Sequence, residues 1–381
     1  MGQSTLIYHN GPIFDGSRLH HHAFAQFEDG VLARIGRWDE LPAQGRSIDL
    51  RGDILSIGYV DLQVNGGAGL MFGDDVSVEA LGRMAAAHRK LGVTHVLPTL
   101  ITDTPRATRA AIDVAIAAIA ANVPGVAGLH LEGPHLSLAR KGAHDAQLIR
   151  PMGADDLRNL IMAAADLPCL MVTVAPENVT EAQVAALARA GVIVSLGHSD
   201  AGYDTCQRYF RAGARCATHL FNAMSQLNSR EPGLVGAALS CGGVHAGLIA
   251  DAVHVHPATI RLAWQANSEP GRLFLVSDAM AVAGTDLDRF ALGGRCINRR
   301  DGQLRLDDGT LAGADLDLTT AVSVLVNKIG VPLQDALRAA TTVPARFCGF
   351  EDVAMAPGTT RLDQLNRISA NLTAVAPQNM I

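Results

Sequence analysis

Residues 126–135 read VAGLHLEGPH, a short apolar run that ends in a glutamate and then at once in Gly-Pro. Such a run suits a strand buried on both faces, and Gly-Pro stops either kind of regular structure. A carboxylate at the edge of an apolar core is costly unless a cationic side chain, a helix N-terminus or a metal ion meets it. Runs of this type recur from about residue 54 onward, at 55–64, 93–100, 126–132, 169–175, 191–197, 215–219, 244–250 and 273–278. Ala-rich stretches with helical periodicity lie between them, among them 76–91, 104–121, 178–190, 201–212 and 256–267. Apolar runs alternating with amphipathic helices specify βα units and a parallel sheet. Eight such units predict an α/β fold with a closed (β/α)8 barrel of the TIM type. The competing open, doubly wound sheet lacks its G-x-G-x-x-G after the first strand.

The flanks have a different texture. LIYHNGPIFDG, AFAQFEDGVLARIG and SIDLRGDILS are short strands broken by Asn-Gly and Asp-Gly turns, the pattern of small antiparallel sheets. A second patch of this kind spans 293–313, and the tail from 367 is expected to return one strand to the N-terminal sheet. The expected division is a small β-sandwich domain from 1–54 and 349–381, and a barrel over 55–348, with 350–365 as a linker or exposed turn. At 381 residues and 48% apolar composition the chain is long enough for a large core. A net charge of −6 argues against a nucleic-acid or anionic-membrane partner. Six scattered cysteines without a C-x-x-C pair read as reduced core residues. MGQSTLIYHNG carries no basic or apolar leader and no run is long enough to span a bilayer, so the expected location is cytoplasmic.

In such a barrel, function collects at the C-terminal ends of the strands. The sequence places Asp61, Gln63 and Asn65 at the first of these ends, Glu132 at the third, His198 at the fifth and His219 at the sixth. Asp251 and His254 follow the seventh and Asp278 ends the eighth. One carboxylate and two imidazoles from three strands are the donor set of a catalytic zinc-type site with a position left for water. Each residue alone has a plainer reading. A strand-end histidine is usually a hydrogen-bonded core residue, Glu132 can pair with Arg140 or Lys141, and an aspartate such as Asp278 often caps a helix. Recurrence at corresponding places in separate βα units reverses those odds, so Glu132 is expected to face a divalent metal. Asp278 is the base candidate, because a nearby carboxylate can take the proton of a metal-activated water. Arg230, in the polar loop 221–237, suits a phosphate or carboxylate, and the backbone amides of Asn222 and Ala223 can add donors. His130 is expected to line the barrel and Glu177 to sit at a helix N-terminus.

HLEGPH…KGAHD, SLGHSDA, THLFNAMSQLNSREPGLVGA, IADAVHVHP, LVSDAM and DGTLAGADLDL occur in an order and spacing that resemble the N-acetylglucosamine-6-phosphate deacetylase family. That family is a branch of the amidohydrolase superfamily, and the resemblance covers about residues 5–375. It implies a metal-dependent barrel with a small β-domain, and hydrolysis of the acetamide of a 6-phosphorylated amino sugar. Motif by motif it implies Glu132, His198 and His219 as metal ligands, Asp278 as acid/base and His144 as a contact near the scissile carbonyl. It further implies Asn222, Ala223, Arg230 and His254 as phosphate- and sugar-binding positions, and a homodimer in which a basic group crosses the interface. Gln63 and Asn65, grouped with the substrate-binding residues, stand where many of the superfamily carry His-x-His and hold two metals. Neutral amides are poor ligands for zinc-like ions, so one divalent metal per subunit, zinc first, is expected. His135 replaces a large aromatic of some relatives, and the chain stops short of further strands that the family adds.

Overall fold

The computed structural model describes residues 5–269, 271–351 and 353–376, so the expected β-domain extends at 1–4, 352 and 377–381 beyond the described residues. Eight parallel strands lie side by side in chain order. They are β1 (Tyr59–Val64), β2 (Val93–Ile101), β3 (Leu129–Glu132), β4 (Leu170–Val174), β5 (Ile193–Leu196), β6 (Cys216–Ala217), β7 (His245–Leu248) and β8 (Leu273–Leu275). The ring closes between β8 and β1 without a ladder. A single parallel bridge joins Val64 and Ala279, and Asp278 N–H donates to the Gln63 carbonyl at 3.0 Å. The expected (β/α)8 barrel is therefore present, with its seam at the first and last strands.

The helices form where the periodicity places them, and several starts are fixed by local chemistry. α1 (Val78–Lys90) starts where the Ser77 side chain accepts the Ala80 N–H. α2 (Pro105–Ala120) starts at Thr104 with proline in its first turn, and α3 (Ala154–Asp166) follows. α4 (Glu181–Arg189) begins with a Thr180–Gln183 capping box. Several expected strands are longer than the observed ones. The run 215–219 shrinks to two residues, because Thr218 turns inward and shares hydrogen bonds with Ser195 (2.6 Å) and Thr173 (2.7 Å). Thr173 in turn meets His130 Nε2 at 2.8 Å, so His130 does line the barrel. Burial drops its imidazole to about 4 and keeps it neutral.

The run 55–64 is two strands. Ile54–Ile57 joins a sheet outside the barrel, and β1 starts only after Gly58. Position 58 must be glycine, since a Cβ there would sit 2.1 Å from Thr94 Cγ2. The outer sheets have four strands each. One is ordered Val31–Arg37, Ala23–Glu28, Thr5–His9, Arg46–Asp49. The other is ordered Leu365–Ile368, Ile54–Ile57, Ile13–Phe14, Leu19–His20. Tyr8, Phe14, Phe24 and Phe27 are fully buried there. The returning tail strand is present but begins at Leu365, before the expected 367. The segment 350–365 is no loose linker. Val353 and Met355 are buried, and Leu32 exchanges backbone bonds with Gly358 and Thr360 at 2.8 Å.

Arg367 fastens the tail strand. Its guanidinium donates to Asp53 Oδ2 at 2.8 Å and to the Leu50 carbonyl at 3.2 Å, with both side chains largely buried. Charge-assisted bonds of this kind contribute about 1.5–3 kcal/mol. Arg367→Ala is expected to lower unfolding free energy by about 2 kcal/mol and to leave turnover per folded molecule unchanged. A denaturant titration paired with an activity assay checks both halves.

The patch read at 293–313 is a four-stranded antiparallel ribbon of Arg289–Leu292, Arg295–Arg300, Gln303–Arg305 and Leu311–Ala314. Met280, Leu292, Ile297, Leu304 and Ala312 pack as a separate small core. The Ala314 N–H donates to the Asp278 carbonyl at 3.0 Å, which pins the ribbon to the mouth of the barrel.

Candidate metal and catalytic site

His198, His219 and Asp278 follow the ends of β5, β6 and β8 in left-handed backbone conformations, with φ of +48°, +30° and +51°. Such conformations cost about 1–3 kcal/mol each in a residue with a side chain. Here they turn three side chains off the strand direction towards one point above the barrel axis. Glu132 reaches the same point from the last residue of β3.

Among the described residues Glu132, His198 and His219 form the one cluster able to hold a metal ion, with their ligand atoms all within 4.8 Å of one another. Glu132 Oε1 lies 2.9 Å from His219 Nε2 and 3.2 Å from His198 Nε2, and the two Nε2 atoms are 3.1 Å apart. All three residues are buried. His198 Nδ1–H donates to the Arg140 carbonyl at 2.8 Å, so the ring turns its Nε2 to the cluster. Two imidazole nitrogens and a carboxylate oxygen converging at these distances fit a divalent cation. Burial opposes charge on Glu132, yet the hydrogen bonds and charges of His198 and His219 hold its carboxyl well below the usual range. Burial pulls His219 down, and its bond to Glu132 outweighs that and raises it.

Gln63 and Asn65 stand beside the cluster as donors. The Gln63 amide donates to Glu132 Oε1 and to Asp278 Oδ1, both at 3.1 Å, and Asn65 donates to Asp278 Oδ1 at 2.7 Å. Asn65 borders the cavity, and Gln63 is buried beside it. Burial, and then the Glu132 charge, push Asp278 up to about 6. A base must be ionised to take a proton, so turnover should fall as pH drops through about 6, and a bound cation moves that limb to lower pH. The pH profile of kcat tests this: a rate unchanged through the acid range would contradict it.

His144 is buried 3.9 Å from Glu132 Oε2. Its Nδ1 lies 2.8 Å from Thr102 Oγ1 and accepts the Thr102 N–H at 3.3 Å, an arrangement that places the ring proton on Nε2, facing the cluster. Burial, and then His198, drop its value to about 3, so the ring stays neutral. Gly133 makes this contact possible: at φ +96° its missing Cβ would lie 2.3 Å from Thr102 Oγ1. The opening run therefore ends in glycine because the residue after the candidate ligand must clear Thr102.

Above these groups lies a cavity of about 580 Å³ bordered by Asn222, Ala223, His254, Arg140 and the ribbon residues Arg305 and Thr310. Asn222 N–H is spent on the His219 carbonyl (2.9 Å), and Ala223 sits at φ +48°. His254 Nδ1–H donates to Asp251 Oδ2 at 2.5 Å, which fixes the ring and leaves Nε2 for a ligand. Arg230 is exposed on its loop and is not among the residues bordering this cavity. Glu177 does not start a helix. It accepts from Ser199 Oγ (2.8 Å) and Asp200 N–H (2.7 Å), bracing the turn after His198. Thr102, the Arg140 carbonyl and the ribbon wall were not expected from the sequence. The motif DGTLAGADLDL, which runs into the ribbon, was the available signal for the last.

Similar proteins carry this architecture. An N-acetylgalactosamine-6-phosphate deacetylase of Shewanella sp. (strain ANA-3) is 38% identical over 344 residues, 90% of this chain and 86% of the relative. An N-acetylglucosamine-6-phosphate deacetylase of Haemophilus influenzae is 35% identical over 316 residues, 82% of each. The crystal structure of N-acetylglucosamine-6-phosphate deacetylase from Pasteurella multocida superposes with a TM-score of 0.89 at 32% identity, covering 98% of both chains. Residues 54–354 match the amidohydrolase family, and with the strand-end donor set in place the chain belongs to that family.

Proposed function

We propose that the protein hydrolyses the N-acetyl group of N-acetylglucosamine 6-phosphate, releasing acetate and glucosamine 6-phosphate. The observation that carries this reading is the convergence of Glu132, His198 and His219 beside Asp278, under one cavity and in a chain whose relatives bear these names. Glu132, His198 and His219 would hold one divalent cation, zinc by the chemistry of its donors, and that ion would polarise the acetamide carbonyl and make a water acidic. Asp278 takes the proton of the attacking water. His144 donates from Nε2 to the carbonyl oxygen as negative charge builds on it. Asp278 then returns its proton to the departing amine, so the C–N bond breaks to acetate and a free amino sugar.

The phosphate would lie remote from the reacting carbon, against His254 and the Ala223 backbone. The single chain leaves Arg230 outside the cavity, and we propose a homodimer in which the second copy supplies it. Arg230→Ala should then raise KM about tenfold or more, as loss of a charge-assisted bond does, and leave kcat nearly intact. An unchanged KM would count against the shared site. No described helix is long and apolar enough to cross a membrane, and all six cysteines are unpaired, which fits the cytoplasmic setting we propose.

The Shewanella relative's name favours one second reading, the galactosamine epimer as preferred substrate. Initial rates of acetate release from the two N-acetylhexosamine 6-phosphates separate them. Faster release from the glucosamine form supports the main reading, faster release from its epimer supports the second, and release from neither would sink both.

A further inference from the structure

Asp61 is a fully buried carboxylate on β1 that the mechanism above does not use. Backbone N–H groups donate to it, and the Ser277 hydroxyl lies within its reach. Ser277 N–H lies 3.2 Å from Oδ1 and 3.3 Å from Oδ2, and Gln63 N–H lies 3.3 Å from Oδ1. These contacts sit on the seam of the barrel, where β8 and β1 meet without a ladder. In a regular parallel pair the Ser277 N–H would find a carbonyl on the neighbouring strand. Here the Asp61 side chain takes that place. The residue it clamps precedes Asp278, whose φ of +51° is strained and needs fixed neighbours on both sides. Further bonds complete the turn: Asp278 N–H to the Gln63 carbonyl at 3.0 Å and Ala279 N–H to Ser277 Oγ at 3.2 Å.

We propose that Asp61 is a positioning residue, which holds the 277–279 turn in the conformation that aims the Asp278 carboxylate at the reacting water. The inference rests on the reading of Asp278 as the base. A fully buried carboxylate is an expensive way to satisfy two peptide N–H groups if only the fold is served. Burial raises its carboxyl to about 7, against the pull of the Ser277 and Gln63 donors, which favour the charged form. The groups that face Asp278 are Glu132, His219, His254 and Asp61 among the titratable ones, and the amides of Gln63 and Asn65.

Asp61→Asn keeps the shape of the side chain but sets an N–H against the Ser277 N–H. Metal content and KM should stay within about twofold of wild type, while kcat falls about 10²-fold, the usual cost of a misplaced catalytic group. The acid limb of kcat should also move, because the surroundings of Asp278 change. Asp61→Glu, which keeps the charge but cannot seat both oxygens at one N–H, should show the same split between kcat and KM. A residue serving only the fold would lower the yield of folded protein and leave kcat per metal-loaded site and the acid limb where they were. That result, or failure of both variants to fold with metal bound, would overturn the proposal. Asp278→Asn measured alongside keeps the two readings apart. If it is inactive while Asp61→Asn is normal, the positioning role alone is wrong. If Asp278→Asn turns over normally, the base assignment has failed and this inference falls with it.

Discussion

Asp278→Asn is expected to lose turnover by about 10²–10⁴-fold, the range that a positioned acid/base contributes, and to keep its metal. The change is nearly isosteric. The amides of Gln63 and Asn65 now donate to Asp278 Oδ1 at 3.1 and 2.7 Å, and an asparagine oxygen can still accept both bonds. What disappears is the ability to hold a proton between its removal from water and its delivery to the amine. Both transfers fail together, so no step of the reaction escapes. KM should change little, because Asp278 contributes charge and proton transfer and not the main grip on the phosphorylated sugar. Single-turnover acetate release beside metal analysis separates the outcomes. A variant with full metal and near-normal release would show that another group is the base.

Removal of the cation is expected to have an effect as large. Glu132→Gln takes the only negative charge out of the ligand set and sets an NH2 or a weak carbonyl donor among two imidazole nitrogens 3.1 Å apart. Metal occupancy should collapse, and turnover with it by about 10³-fold or more, since the ion supplies several kcal/mol of transition-state stabilisation. Chelation of the unmodified protein should reproduce the loss, and its melting temperature should fall, because an ion bound only by the folded state stabilises it. Excess zinc should restore the chelated protein and not the Glu132→Gln variant. Rescue of that variant at ordinary zinc concentrations would mean that Glu132 is not a principal ligand.

The alternation of apolar runs and amphipathic helices was enough to read the barrel, because burial on both faces leaves a continuous signal in each parallel strand. The candidate ligands were legible for a related reason. A charged or imidazole residue at the end of such a run has few structural uses, and Glu132, His198 and His219 repeat that placement. The missed features depend on geometry that no local pattern carries. Between the two strands of one apolar run, residue 58 is glycine because Thr94 of β2 leaves no room for a Cβ. Thr102 reaches His144 across the space that Gly133 leaves open, which pairs residues 42 positions apart. Arg230 shows the limit from the other side. Its motif was readable, but its distance from the cavity in one chain is a fact of three dimensions. The left-handed backbone at His198, His219 and Asp278 was likewise invisible in residues that rarely adopt it.

One determination bears on the central claim more directly than any other: metal equivalents per chain in the purified protein, measured with acetate release from N-acetylglucosamine 6-phosphate on the same samples. The three convergent ligands, with Gln63 and Asn65 turned as donors, predict one equivalent, activity that rises in proportion to it, and loss of both in Glu132→Gln. Full activity in metal-free protein, or two equivalents required for turnover, would contradict a single cation held by Glu132, His198 and His219.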